Sequence, residues 1–136
     1  MGRSFQFPEE IITAARKEKI LGIRAGWGST HRVIGIWAVV VERRIFVRSW
    51  SLKPCSWWRS LVKDPYASIF LSEKEIPIRA VQTRSERLKD LVSAAYREKY
   101  HTPGSLQYVK DMSRKKSRDT TSELLPLDSR PADPRR

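Results

Sequence analysis

The sequence predicts a mainly β fold with flanking helices: a six-stranded antiparallel sheet closed into a small barrel, with the helices outside it. Three observations carry this prediction. Apolar, β-rich runs recur as "ILGIRAGW", "VIGIWAVVV", "IFVRSW", "ASIFL" and "IPIRAVQ". The reversals between them include a two-residue one at Glu42–Arg43 and a four-residue one at "SEKE", and loops this short join antiparallel neighbours rather than parallel ones. One long stretch, 83–101, has helical periodicity, and its narrow apolar stripe suits packing on a sheet.

Taken in order, residues 1–18 hold a short helix. Pro8 occupies the first helical position, Glu9 and Glu10 sit at the positive end of the dipole, and Ile11, Ile12 and Ala15 form the buried stripe. A strand over 20–27 follows, then the polar turn "GSTHR", then the long strand "VIGIWAVVV" and its partner "IFVRSW". In "PCSWWRSLVKDP" Ser56 caps a short helix that Pro65 stops. The next two runs make a second hairpin. Thr83 and Glu86 form a capping box for the helix 83–101, with Leu88, Leu91, Val92 and Ala95 on its apolar side. "HTPG" ends that helix, "SLQYVKDM" adds a short one, the basic run "SRKKSR" reads as a solvated linker, and "TTSELLPL" supplies a last strand. The whole is one domain over 1–127, with a disordered tail at 128–136.

Composition narrows the functional classes. Of 136 residues one is cysteine and two are histidine, so an intrachain disulfide is impossible and neither a zinc site nor a Cys–His nucleophile has the spacing it needs. No apolar run approaches the ~20 residues that cross a bilayer, and the amino-terminal stretch carries no apolar signal core; a cytoplasmic location is expected. The net charge of +12 is spread through the chain, with 20 basic and 11 acidic residues in positions 1–112. Such a surface attracts polyanions, either nucleic acid or a phosphorylated small molecule. "GWGS" has no third glycine and no parallel βαβ setting, so it is a turn and not a dinucleotide loop.

The hairpin "IWAVVVERRIFVRSW" is the most informative stretch. With a two-residue loop at Glu42–Arg43, residues whose numbers sum to 85 lie opposite one another. One face then carries Val40 with Ile45 and Ala38 with Val47, suited to a barrel interior. The other carries Val41 with Arg44, Val39 with Phe46, and Trp37 with Arg48. A strand pair apolar on both sides must be covered on both, by the interior and by a helix, a subunit or a ligand. Arg48 is thus open to three readings: a structural or dimer-packing residue, a cation–π partner of Trp37 in a ligand cradle, or a residue misplaced by a longer loop, since Glu–Arg is poor chemistry for a turn that favours Asn–Gly.

"GWGSTHRVIGIWAVVV", "RRIFVRSW", "WWRSLVKDP" and "AAYREKYH" together resemble a small uncharacterised bacterial family related to the flavin- and deazaflavin-binding split barrels, the group of the pyridoxamine phosphate oxidases and deazaflavin-dependent nitroreductases. The resemblance spans roughly residues 20–126. It implies a homodimeric split barrel of the FMN-binding kind, with FMN or deazaflavin in a groove at the dimer interface and an oxidoreductase activity in which the cofactor ring carries the hydride. By position, Ser29 and Arg32 match the phosphate-binding turn, Arg48 and Ser49 lie on the strand under ring and phosphate, and Trp57, Trp58 and Arg59 close the groove; on this reading Arg32 and Arg48 neutralise the phosphate and Trp37 or Trp57 walls the ring. Trp27 stands where the deazaflavin branch has a basic residue. The alternatives are a non-catalytic module that binds a phosphorylated metabolite or nucleic acid, and a scaffold without cofactor whose groove its own tryptophans fill.

Overall fold

The computed structural model describes residues 6–26, 32–49 and 56–127. Seven strands are built: β1 (Leu21–Ala25), β2 (Ile34–Ile36), β3 (Ala38–Val41), β4 (Arg44–Val47), β5 (Tyr66–Leu71), β6 (Lys74–Gln82) and β7 (Ser122–Pro126). Five helices accompany them: α1 (Glu9–Lys17), α2 (Trp57–Lys63), α3 (Glu86–Lys99), α4 (Pro103–Met112) and α5 (Lys115–Arg118). All strand pairings are antiparallel, in the order β2-β1-β5-β6-β7-β4-β3.

The two ends of that order, β2 and β3, are consecutive in the chain and separated only by Trp37. The sheet therefore curls into a nearly closed barrel, and the expected count of six strands becomes seven. "VIGIWAVVV" was expected to be a single strand; it breaks at Trp37 because its first half pairs with β1 and its second half with β4. One run cannot stay in register with two partners on opposite sides of a barrel without a corner.

The expected hairpin register holds: Ala38 faces Val47, Val39 faces Phe46, Val40 faces Ile45 and Val41 faces Arg44. Glu42 and Arg43 turn with φ of 55° and 62°, both left-handed, as a two-residue turn with the twist of the strands requires. Both residues accept conformations that glycine or asparagine takes more cheaply. Ser72 and Glu73, at φ 53° and 61°, make the same turn between β5 and β6.

The barrel interior holds Leu21, Ile23, Ile36, Ala38, Ile45, Val47, Ile69, Leu71, Ile78 and Leu124, and it is lidded by Ile11, Ile12, Ala14 and Ala15 of α1 together with Phe7 just ahead of that helix. The other face of the hairpin, Val39, Val41 and Phe46, is covered by α3 and α4 of the same chain through Leu88, Val92, Tyr96, Tyr100, Val109 and Met112. Each such side chain contributes roughly 1.5–3 kcal/mol by leaving water. Of the three possible covers for this face, own-chain helices supply the one observed.

Helix α3 departs from expectation in two ways. Its cap is Ser85, whose Oγ accepts from the Leu88 amide at 3.1 Å, because Thr83 is still held to the sheet by its amide on Thr121 O at 2.9 Å. Its buried side carries Leu88, Lys89, Val92, Ser93 and Tyr96, while Leu91 is 37% exposed. The helix is rolled so that the phenol oxygens of Tyr96 and Tyr100 reach backbone carbonyls, at 2.8 Å on Trp37 O and 2.7 Å on Lys19 O. Burial pushes both phenols above their ordinary range. The "SRKKSR" run is not a free linker: it contains α5, with Ser117 Oγ donating to Ser49 O and Arg118 bridging Glu86 and Asp90. The tail 128–136 lies outside the described residues. Among the described residues no helix is long and apolar enough to cross a membrane.

Left-handed backbone at a non-glycine residue costs roughly 1–2 kcal/mol. The double change Ser72→Asn and Glu73→Gly is expected to raise stability by about 1 kcal/mol, read as a higher urea midpoint at unchanged slope. No gain would contradict the turn geometry.

Candidate functional site

Arg48 follows the last residue of β4, and its side chain is only 2% exposed. Its guanidinium donates from Nε to Thr121 Oγ1 at 2.8 Å, from Nη1 to Ser93 Oγ and Met112 O at 2.9 Å each, and from Nη2 to Lys89 O at 2.8 Å. Four of its five N–H groups are thus committed to the protein. None of these acceptors is a carboxylate. The charge is met instead by oriented neutral dipoles, one of them the final carbonyl of α4, where a helix carries partial negative charge. Burial lowers the Arg48 pKa to about 10, which leaves the group cationic at neutral pH. The ring it lies over is that of Tyr96, at 5.8 Å.

Trp37, at the barrel corner, stacks on Tyr100 with ring centroids 4.1 Å apart and planes within 3°, and meets the edge of Tyr108 at 6.0 Å. Around these groups opens a cleft of about 360 Å³. Ile34, Gly35, Ile36 and Trp37 form one wall; Trp57, Tyr108 and Met112 form the rest, with Arg48 the one charged residue among the described residues of the lining. A volume of this size lies in the range of small-molecule pockets, and a mostly apolar, aromatic lining with one polar anchor is their usual composition. Three of its residues reach the surface: Gly35, Ile34, which is 39% exposed, and Tyr108, which is 49% exposed.

Of the residues expected at a site, Trp37, Arg48 and Trp57 line this cleft together. Ser49 is fully buried behind it, its amide donating to Thr120 Oγ1 at 2.8 Å and its carbonyl accepting from Ser117. Trp58 points to β6, with Nε1 donating to Gln82 Oε1 at 3.1 Å, and the Arg59 guanidinium lies over the Trp58 ring at 5.5 Å. Ser56 caps α2 as expected, Oγ accepting from the Arg59 amide. Arg32 is exposed ahead of β2. Ser29, like Trp27, Trp50 and Cys55, lies outside the described residues. Tyr108 and Met112 were not foreseen; the signal was present in α4, whose apolar residues Leu106, Tyr108, Val109 and Met112 fall on both sides of a helix rather than on one stripe. No group of three or more potential metal ligands gathers among the described residues.

An antiparallel barrel with an aromatic-walled cleft beneath its helical layer is the class of protein that fold and site define. Residues 10–124 match the family described as an uncharacterised protein conserved in bacteria (DUF2255), and the chain belongs to that family. Comparison with curated proteins gives no match. Among solved structures the chain is similar to the conserved hypothetical protein Rv2991 from Mycobacterium tuberculosis, with a TM-score of 0.57 and 15% identity over 96% of this chain and 86% of that one. It is also similar to a NimC/NimA family protein from Clostridium acetobutylicum, with a TM-score of 0.52 and 17% identity over 88% of this chain and 78% of that one. At these identities the likeness is one of fold.

Because hydrogen bonds to a charged donor contribute roughly 1.5–3 kcal/mol each, Arg48→Lys, which keeps the charge and loses the fork, should cost about 3 kcal/mol or more in urea unfolding. A loss below about 1 kcal/mol would show that the four contacts do not hold the helices.

Proposed function

We propose that the protein is a split-barrel oxidoreductase that seats the flat ring of a flavin or deazaflavin in the Trp37–Trp57 cleft, at the interface of a homodimer. The observation that carries this reading is the cleft itself: about 360 Å³, apolar, and lined by two tryptophans. The lining suits the ring of such a cofactor better than its phosphate. Arg48 has four of its N–H groups engaged within the protein, so the phosphate falls to Arg32, exposed at the approach to β2. Trp37, fixed on one face by Tyr100, orients the ring; Trp57 closes over it; Ile36 and Met112 keep water from it. The bound cofactor supplies hydride transfer, and the chain positions it. The exposed Ile34 and Tyr108 at the rim are the surface a second subunit covers.

The second reading, a non-catalytic module for a phosphorylated metabolite or nucleic acid, is favoured by the net charge of +12. Titration with FMN and with a 5-deazaflavin, followed by fluorescence, separates the two. Saturable binding is expected, weakened roughly tenfold by Trp57→Leu, since an aromatic contact contributes about 1.5 kcal/mol. Absence of saturable binding by either cofactor, or indifference to Trp57→Leu, overturns the redox reading. Retention on generic DNA that falls steeply with salt supports the second one.

A further inference from the structure

On the far side of α3 from the Arg48 cleft, a separate cavity of about 260 Å³ is lined by Arg16, Val39, Val40, Ala95, Glu98 and Lys99. We propose that Lys99 is a nucleophilic amine, forming an imine with a small carbonyl compound that carries an anionic group and binds in this cavity beside Arg16. The proposal is independent of the flavin reading, because it uses another cavity and other residues.

Lys99 is half-buried at the carboxyl end of α3. Its Nζ donates to Ala15 O and to Ala38 O, at 2.7 Å each, and forms no salt bridge with a described residue. Ala38 lies on β3, which terminates the sheet order, so its carbonyl faces away from the ladder and needs such a donor. An ammonium has three N–H groups and two are used. A neutral amine satisfies the same two carbonyls with its two hydrogens and keeps its lone pair for the cavity. Burial lowers the Lys99 pKa to about 8 against the opposing pull of Glu18 at the end of α1, so the ammonium predominates at neutral pH and the neutral amine becomes the main form only above pH 8. The charged groups facing Lys99 are Glu18 and Arg16 from α1 and Glu98 from its own helix, with the Tyr100 ring 5.2 Å from Nζ. The Glu18 carboxylate is itself engaged by the Ser72 amide at 3.2 Å.

The reaction is a condensation. The Lys99 nitrogen forms a bond to the carbonyl carbon, and after proton transfer the carbonyl oxygen leaves as water, giving a C=N bond without any change of oxidation state. A protonated imine retains one N–H for one of the two carbonyls. Arg16, exposed at the mouth, supplies charge for a carboxylate or phosphate on the ligand.

The test uses the intact protein with glyoxylate and cyanoborohydride, which reduces the imine to a stable carboxymethyl amine, mapped by peptide mass spectrometry. At pH 8 Lys99 should be labelled about tenfold faster than the exposed Lys63, Lys110 and Lys116. Its labelling rate should level off above pH 8, where the amine has lost its proton. Arg16→Gln should slow labelling by glyoxylate and leave labelling by the uncharged acetaldehyde unchanged. Labelling of Lys99 no faster than the surface lysines overturns the proposal, and so does a Lys99 rate that still climbs at pH 10. Equal labelling of the Arg16→Gln protein by glyoxylate overturns the anionic ligand.

Discussion

One buried cation ties the layer of α3 and α4 to the barrel. Arg48 leaves the end of β4 and ties together Lys89 and Ser93 of α3, the last carbonyl of α4 and Thr121 ahead of β7. A charge moved from water into a protein interior is costly unless its hydrogen-bonding capacity is met, and only an arrangement that brings these acceptors together meets it. Any roll of α3 or slide of α4 that kept the apolar contacts but moved Lys89 O or Met112 O would leave a charged donor unsatisfied. Hydrophobic burial favours some helical layer on this face; Arg48 selects which one.

The cleft follows from that selection together with the barrel's closure. The strand 34–41 must change partners, and Trp37 is where it does so. A large ring at a corner has no sheet neighbour to lie against on its own level, and Tyr100 of α3 supplies a stacking partner at 4.1 Å. Helix α4, drawn in by its carbonyl on Arg48, places Tyr108 and Met112 opposite, and Trp57 of α2 completes the wall. The cleft is thus the space left between a strand corner and a helical layer whose positions are fixed by separate constraints.

Much of the fold was legible in the sequence because its signals are local. The hairpin register depended only on the length of one loop, and the pairing of Val39 with Phe46 came out as expected even though Glu42 and Arg43 are poor residues for their left-handed backbone. The Ser56 cap and the last strand are likewise short-range patterns. The failures are long-range. The partners of Arg48 lie 41 to 73 positions away, so its side chain could be given a face but not a set of acceptors. The roll of α3 that exposes Leu91 follows from phenol oxygens seeking carbonyls on Trp37 and Lys19, and nothing within the helix itself encodes that. The break at Trp37 is topological: six expected strands became seven because a single apolar run serves two partners.

The central claim is that the Arg48 guanidinium is held rigidly by protein acceptors, and side-chain NMR addresses it without altering a residue. Rotation about the Nε–Cζ bond and exchange with water should both be slow when four N–H groups are bonded. The Arg48 Nε–H resonance is therefore expected to be sharp and protected from exchange, with separately resolved Nη protons near neutral pH, unlike the averaged signals of exposed arginines such as Arg16. Averaged Nη signals and fast exchange at Arg48 would contradict the account and leave the helical layer without its anchor.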